Sequence, residues 1–317
     1  MKKRYILPLI ALAISSCNQQ SFVLESKVFC FDTMVDIRLF EGEQEDIKKI
    51  EDILNYYGKI SDNYLARDIT NVYTLNHTND EVEVSTELYN LLKTSTTVAT
   101  QGARYFNVLA GSLSKRWKES LAQGQVLSQA AIEEELNKLD SSSLTLYPNN
   151  IVKRSGEAEI DLGGIAKGYT LDVIKEYLNS KEYKHYLIDG GSSSILLGEK
   201  QTSDGYFTVG INKVLSGAYL KAKNCFISTS GNNEQGVKIG DNTYSHIVNP
   251  ETGSALTNYD AVIVVSDDGY LGDALSTSMM VSPLEYIKQV ELENNVKTIV
   301  IKDNKIVHKH AGIEVFY

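Results

Sequence analysis

The chain has 317 residues, 42% of them hydrophobic and 23% charged, with only 4 prolines and a net charge of −10. That length and apolar share suit a large globular body and exclude a disordered or low-complexity chain. A negative balance of this size repels nucleic acid and anionic headgroups, which argues against binding either through a broad basic surface.

Residues 1–16 begin with Lys2, Lys3 and Arg4, continue through an apolar core and end in Ser15-Ser16, directly before Cys17. This is the pattern of a secretory signal of the bacterial lipoprotein kind, with an apolar part too short to remain as a membrane span. Cys17 then becomes the lipidated first residue. Removing Lys2, Lys3 and Arg4 takes the charge from −10 to −13, and the acyl anchor holds the protein at a membrane on the extracytoplasmic side. The alternative is a plain signal peptide followed by an incidental cysteine. Residues 17–27 read as a tether and 28–317 as the domain, without a linker tract or internal repeat. Cys30 and Cys225 lie in apolar strand-like runs and read as buried free thiols, since one possible bridge makes no disulfide framework.

Residues 28–40 are strand-like, with Phe31-Asp32-Thr33 near the start. Ile47, Ile50, Ile53, Leu54 and Tyr57 then mark an amphipathic helix. A polar loop over 61–79 holds Tyr64 and Asn76. A second helix starts after Ser85, buries Leu88, Leu91, Leu92 and Val98, and ends near Gly102. Residues 106–117 contain the only tryptophan, Trp117. The small residues Ala110, Gly111 and Ser112 there permit close approach of a flat ring, or simply serve a core tryptophan beside a turn. A third helix over 128–139 precedes a hairpin of 144–146 with 151–153 around Pro148-Asn149-Asn150.

Residues 160–172 compress a strand end, a tight turn and a helix start into one run. Gly163 and Gly164 permit the turn, and Ile165, Tyr169, Val173, Tyr177 and Leu178 follow helical spacing. Asp161 and Lys167 therefore sit near a helix N-terminus, whose free N–H groups and dipole suit an anionic ligand such as a phosphate. The plainer alternative is Asp161 as a cap and Lys167 on a solvated face. At 186–198 two apolar strands flank Gly190-Gly191-Ser192-Ser193, a phosphate nest or an ordinary hairpin tip. Further strands over 207–214 and 218–228 lead to Ser228-Thr229-Ser230-Gly231. Asn249-Pro250 and Thr252-Gly253 then form a rigid turn that poses His246 and Ile247, the histidine being either structural or catalytic. Residues 261–265 form a buried strand. The helix over 269–281 places Asp273 and Thr277 four apart on one side, which offers oxygen ligands to a hard cation such as Mg²⁺ or merely a packing hydroxyl near a carboxylate. A hairpin of 297–301 with 305–309 closes the chain. Interleaved helices and hairpins without regular βαβ alternation predict an α+β fold with antiparallel sheet.

Five runs in order, Asp-Leu-Gly-Gly-Ile-Ala-Lys-Gly-Tyr from Asp161, Ile-Asp-Gly-Gly from Ile188, Ser-Thr-Ser-Gly from Ser228, Ser-His-Ile-Val-Asn-Pro-Glu-Thr-Gly from Ser245 and Asp-Ala-Leu-Ser-Thr from Asp273, resemble the ApbE family of FAD:protein FMN transferases. The resemblance implies a T-fold-like core with FAD in a cleft between two lobes. It implies that Asp161 contacts FAD, that the Gly164 carbonyl binds Mg²⁺, that Lys167 meets the nucleotide, and that Asp273 and Thr277 complete the metal site. Further flavin contacts are implied at Phe31, Tyr64, Thr229, Ile247 and Ala110-Gly111-Ser112. Two motifs depart from the family: its Met-Gly-Thr stands here as Phe31-Asp32-Thr33, and its Phe-Asp-x-Thr-Val-Gly-Pro-Leu as residues 106–113, with Asn107, Leu109 and Ser112 replacing aspartate, threonine and proline. The implied activity is Mg²⁺-dependent transfer of FMN from FAD to a Thr or Ser hydroxyl of an acceptor protein, such as a subunit of a membrane redox complex, releasing AMP. His246 and Asp161 are the candidates for taking the hydroxyl proton. A periplasmic FAD pyrophosphatase and a non-catalytic flavin-binding lipoprotein are the alternatives.

Overall fold

A computed structural model describes residues 23–140, 143–232 and 236–317. The signal-like residues 1–16, Cys17 and the first part of the tether lie outside the described residues. The described chain opens on a hairpin, β1 (Leu24–Cys30) and β2 (Thr33–Leu39), where the sequence predicts a tether to 27 and a single strand over 28–40. Alternation explains the early start. Glu25 and Lys27 face solvent and pair across the ladder with Arg38 and Asp36, while Leu24, Val28 and Cys30 turn toward the core. Phe31 and Asp32 both adopt positive φ, 51° and 57°, and so form the two-residue turn that splits the strand.

α1 (Gln44–Ile60) buries Ile47, Ile50, Leu54 and Tyr57 along one stripe, as predicted. A short α2 (Val72–Asn76), capped by Asn71, interrupts the loop predicted over 61–79. β3 (Glu81–Glu83) leads into α3 (Thr86–Thr97), capped by the Ser85 hydroxyl and extended by a 3₁₀ turn that Gly102 ends at φ 92°. α4 (Gly111–Ala122) and α5 (Gln129–Leu136) follow, then the predicted hairpin of β4 (Leu144–Tyr147) and β5 (Ile151–Arg154). Next come α6 (Ala166–Ser180), β6 (Tyr186–Gly190), β7 (Ser194–Leu197), β8 (Phe207–Gly210), β9 (Tyr219–Ala222) and β10 (Cys225–Gly231). β8 stops short of the predicted 207–214. The single strand predicted over 218–228 breaks at Asn224 (φ 51°), which sends β9 and β10 into different sheets. The remaining elements are β11 (Val237–Ile239), β12 (Asn242–Tyr244), β13 (Ala261–Ser266), α7 (Gly269–Met279), α8 (Leu284–Asn294), β14 (Lys297–Lys302), β15 (Lys305–Lys309) and β16 (Val315–Phe316).

Eight strands form one sheet in the order β1-β2-β6-β7-β10-β13-β14-β15, every neighbouring pair antiparallel. Side chains alternate between its faces. Leu196 and Phe226 pack with α1 and α6, and Val262 and Val264 with α7, whereas Ile195, Ile227 and Ile263 point to the sheet β16-β9-β8 on the opposite face. Both faces are therefore covered, which is why β13 reads as an unbroken apolar run. The fold is α+β with antiparallel sheet. Cys30 and Cys225 are buried and unpaired, and burial pushes both thiols up to about 11.

Two features of this frame position the site. Gly190, Ser194 and Ser228 are matched in register across β6, β7 and β10, so their loops open at the same end of the sheet. On the helical side, α6 and α7 cross with their backbones in contact: a Cβ at Gly168 would lie 2.0 Å from the Gly269 carbonyl oxygen. No side chain fits there. The crossing presses α7 against the first turn of α6.

Candidate active site

A cleft of about 1130 Å³ lies where the ends of the central strands face the start of α6. The Asp161 turn forms one wall. Asp161 N–H donates to the Val108 carbonyl (2.8 Å) and Gly111 N–H to the Glu159 carbonyl (2.9 Å), which holds the approach to the turn extended. Asp161 Oδ1 then accepts from Gly163 N–H (2.7 Å) and reverses the chain. Gly164 comes to face α7, where a Cβ would lie 3.0 Å from Thr277 Oγ1. α6 begins without a side-chain cap of its own. Its cap comes from α7: Gly168 N–H donates to Asp273 Oδ2 (2.6 Å). Asp273 Oδ1 accepts from the Ser194 and Ser228 hydroxyls, each at 2.8 Å. Burial raises the Asp273 pKa, opposed by Lys167 and by these three donors.

The opposite wall carries His246. Ser114 Oγ donates to its carbonyl (2.8 Å), Ser245 Oγ accepts from Ile247 N–H (3.0 Å), and Asn249 Oδ1 accepts from Glu251 and Thr252 N–H at 2.9 and 3.2 Å. The turn is as rigid as its Asn-Pro and Thr-Gly pairs predict. Burial lowers the His246 pKa to about 4, with Lys118 and Lys167 lowering it further and Asp161 opposing. The imidazole is therefore neutral at pH 7. Its Nδ1 is buried without a hydrogen-bond partner among the described residues. Lys59, Arg67, Lys118, Lys167 and Lys213 line the cleft against Asp32, Asp62 and Asp161, so a chain of charge −10 becomes locally positive here. That suits an anionic ligand.

The ApbE family model matches residues 31–300. The chain belongs to the ApbE family. The FAD:protein FMN transferase of Klebsiella pneumoniae is 26% identical over 261 residues, covering 79% of this chain and 76% of that protein. The FAD:protein FMN transferase of Treponema pallidum is 27% identical over 255 residues, covering 73% and 70%. Among solved structures, the ApbE protein of Thermotoga maritima superposes with a TM-score of 0.77 at 22% identity, over 92% of this chain and 97% of that one. The apo form of the flavinyl transferase ApbE of Pseudomonas stutzeri gives 0.75 at 17% identity, over 93% and 94%. The fold is thus the ApbE fold.

Of the residues that the ApbE motifs single out, Phe31, Tyr64, Ala110, Asp161, Gly164, Lys167, Thr229, His246, Ile247 and Thr277 all line this one cleft. Gly111 and Ser112 are not among the lining residues. Gly111 opens α4 against Glu159, where a Cβ would lie 2.7 Å from the carbonyl oxygen, so close backbone approach explains the glycine. Trp117 is buried in α4 and donates from Nε1 to the Gly253 carbonyl (2.8 Å), which makes it a core residue. Asp273 lies just beneath the cleft floor. Three donors fill three of the four lone-pair positions of its carboxylate, leaving one on Oδ2. Thr277, one helical turn beyond Asp273 on α7, turns its Oγ1 toward Gly164, and carboxylate and hydroxyl oxygens are the donor chemistry of a hard cation. Lys167 makes no ion pair or hydrogen bond among the described residues and lines the same cleft. Several lining residues are absent from the sequence-based set, among them Lys59, Arg67, Lys213 and Lys118, whose Nζ donates to Tyr64 Oη (2.7 Å). Helical spacing points to Lys118, because it lies two four-residue steps beyond Ala110 along α4.

Proposed function

We propose that this protein transfers the FMN part of FAD to a Thr or Ser hydroxyl of an acceptor protein and releases AMP. The observation that carries the reading is the convergence of the Asp161 turn, Lys167 (without an ion pair among the described residues) and neutral His246 on one locally positive cleft. The acceptor oxygen bonds to the phosphorus of the FMN half, and the bond from that phosphorus to the bridging oxygen breaks, with AMP carrying the electron pair away. Lys167 stabilises the charge that gathers on the diphosphate. His246 takes the hydroxyl proton: it is neutral at pH 7, whereas Asp161 already commits one oxygen to Gly163. Asp273, Thr277 and the Gly164 carbonyl would hold Mg²⁺, which when bound would supply further positive charge beside the diphosphate. The signal-like start and Cys17 support placement as a membrane-anchored lipoprotein on the extracytoplasmic side, where an acceptor such as a membrane redox subunit is within reach.

The test is incubation of residues 18–317 with FAD and Mg²⁺, with and without an acceptor domain, read by intact mass of the acceptor and chromatography of nucleotides. An acceptor gain equal to FMN, with AMP released and EDTA blocking both, supports the reading. Free FMN and AMP without acceptor gain make the protein a pyrophosphatase. FAD that binds and stays whole makes it a flavin-binding lipoprotein.

A further inference from the structure

The approach to the Asp161 turn is held from two sides, and only one of them is backbone. On one side, residues 159–161 bond to Val108 and Gly111 as a strand bonds to its neighbour. On the other side no strand pairs with them among the described residues. Instead the side chain of Asn76, 84 residues earlier, meets Ile160: its Oδ1 accepts from Ile160 N–H (2.7 Å) and its Nδ2 donates to the Ile160 carbonyl (2.9 Å). A carboxamide presents the same donor and acceptor as a peptide group. Asn76 thus stands in for one residue of a missing neighbouring strand, immediately before Asp161.

The loop that carries Asn76 is itself stapled. Arg154 is buried, 6% exposed, and has no carboxylate within bonding distance among the described residues. Its Nε donates to the Leu75 carbonyl (2.9 Å) and its Nη2 to the Thr78 carbonyl and Asn79 Oδ1, both at 3.0 Å. Its Nη1 donates to the carbonyls of Gly156 (2.6 Å) and Ala158 (3.2 Å). All five guanidinium N–H groups are used, and they join the segments on either side of the Asn76–Ile160 contact. Burying a cation lowers its pKa here and is costly unless every donor is met. Packing alone would be served by an apolar side chain.

We infer that Asn76, with Arg154 as its anchor, is a positioning residue that sets the Asp161–Gly164 turn against the cleft. Neither side chain touches the cleft. The expected effect on turnover rests on the transferase reading above, but the positioning itself does not. Without Asn76, both polar groups of Ile160 lose their partner and the turn is held on one side only. A displacement of about 1 Å at reacting groups costs roughly 100-fold in rate, whereas FAD binding is spread over the whole cleft.

The test compares wild type, Asn76→Ala and Asn76→Asp by amide hydrogen exchange, urea unfolding and FAD kinetics. In Asn76→Ala, exchange over residues 161–167 should rise while β10 and β13 keep their protection, and kcat should fall roughly 100-fold with KM for FAD changed less than about threefold. In Asn76→Asp, the carboxylate keeps the acceptor but loses the donor, and the neutral acid regains it. Its kcat relative to wild type should therefore recover as pH is lowered from 8 to 5, and urea unfolding at both pH values separates this from loss of stability, because the variant should remain folded under assay conditions throughout. Unchanged exchange over 161–167 in both variants overturns the inference. So does a rise in KM with kcat intact. If wild type turns over no FAD but local exchange still rises in Asn76→Ala, the positioning stands and the transferase reading falls.

Discussion

Replacing Asp273 separates two roles that the structure gives to one carboxylate. It caps α6 through Gly168 N–H and satisfies the Ser194 and Ser228 hydroxyls, all in a buried position. Asp273→Ala leaves those donors without that acceptor. One orphaned buried N–H costs roughly 1–3 kcal/mol. The hydroxyls can rotate to other acceptors, so the total comes to about 3 kcal/mol rather than three full penalties. Asp273→Asn behaves differently. Its carboxamide oxygen accepts from Gly168 while its NH₂ donates to the two serine oxygens, because hydroxyls can reverse their roles. Its stability should stay within about 1 kcal/mol of wild type, helped by relief of a buried charge, yet it lacks the anionic oxygen that a divalent cation needs. The assay is urea unfolding at pH 7 by linear extrapolation, paired with Mg²⁺ titration of FAD turnover. An alanine variant as stable as wild type would refute the cap. An asparagine variant with undiminished Mg²⁺-dependent turnover would remove Asp273 from the metal site.

Three further outcomes are expected. Gly168→Ala gains about 1 kcal/mol of helix propensity but drives a Cβ to 2.0 Å from the Gly269 carbonyl oxygen, an overpacking of roughly 3 kcal/mol. A net loss of about 2 kcal/mol in urea unfolding is expected, and a gain would show that the crossing can yield. Lys167→Met removes a cleft cation that has no ion pair among the described residues and should weaken FAD binding by roughly 10- to 100-fold, the value of one charge-assisted hydrogen bond, measured by flavin fluorescence; unchanged affinity would place Lys167 off the nucleotide. His246 binds its proton in the unfolded chain near 6.5 but in the folded chain only near 4, so folding loses stability as pH falls through that window. Compared with His246→Asn, wild type should lose about 3 kcal/mol between pH 7 and pH 4, and its imidazole NMR shifts should titrate well below 6. Titration near 6.5 would refute the buried, cation-flanked environment.

Much of this site was legible in the chain because its chemistry is carried by short contiguous runs. The Asp161 turn needs its two glycines and its aspartate side by side, and the His246 turn needs Asn249-Pro250, so each announces itself locally. Other parts hid for local reasons as well. The hairpin between β1 and β2 turns on Phe31 and Asp32 at positive φ, residues that carry no turn signature comparable to Asn-Gly. α8 was not anticipated, although Pro283 at its start and Ile287 and Val290 three apart mark it in retrospect.

By itself, then, the sequence determined the α+β class and the approximate ends of α3, α5 and α7, since caps, periodicity and turn chemistry act over a few residues, while the resemblance of its motifs to the ApbE family pointed to ten of the residues that line the cleft. Only the tertiary structure decided that Asp273 caps α6 from another helix, that Gly168 and Gly269 are glycines because two backbones touch, and that Asn76 completes a strand 84 residues away. Those contacts join segments far apart along the chain. Their energies depend on burial and on which donors are left without water, and neither exists until the sheet and its helices have closed over them.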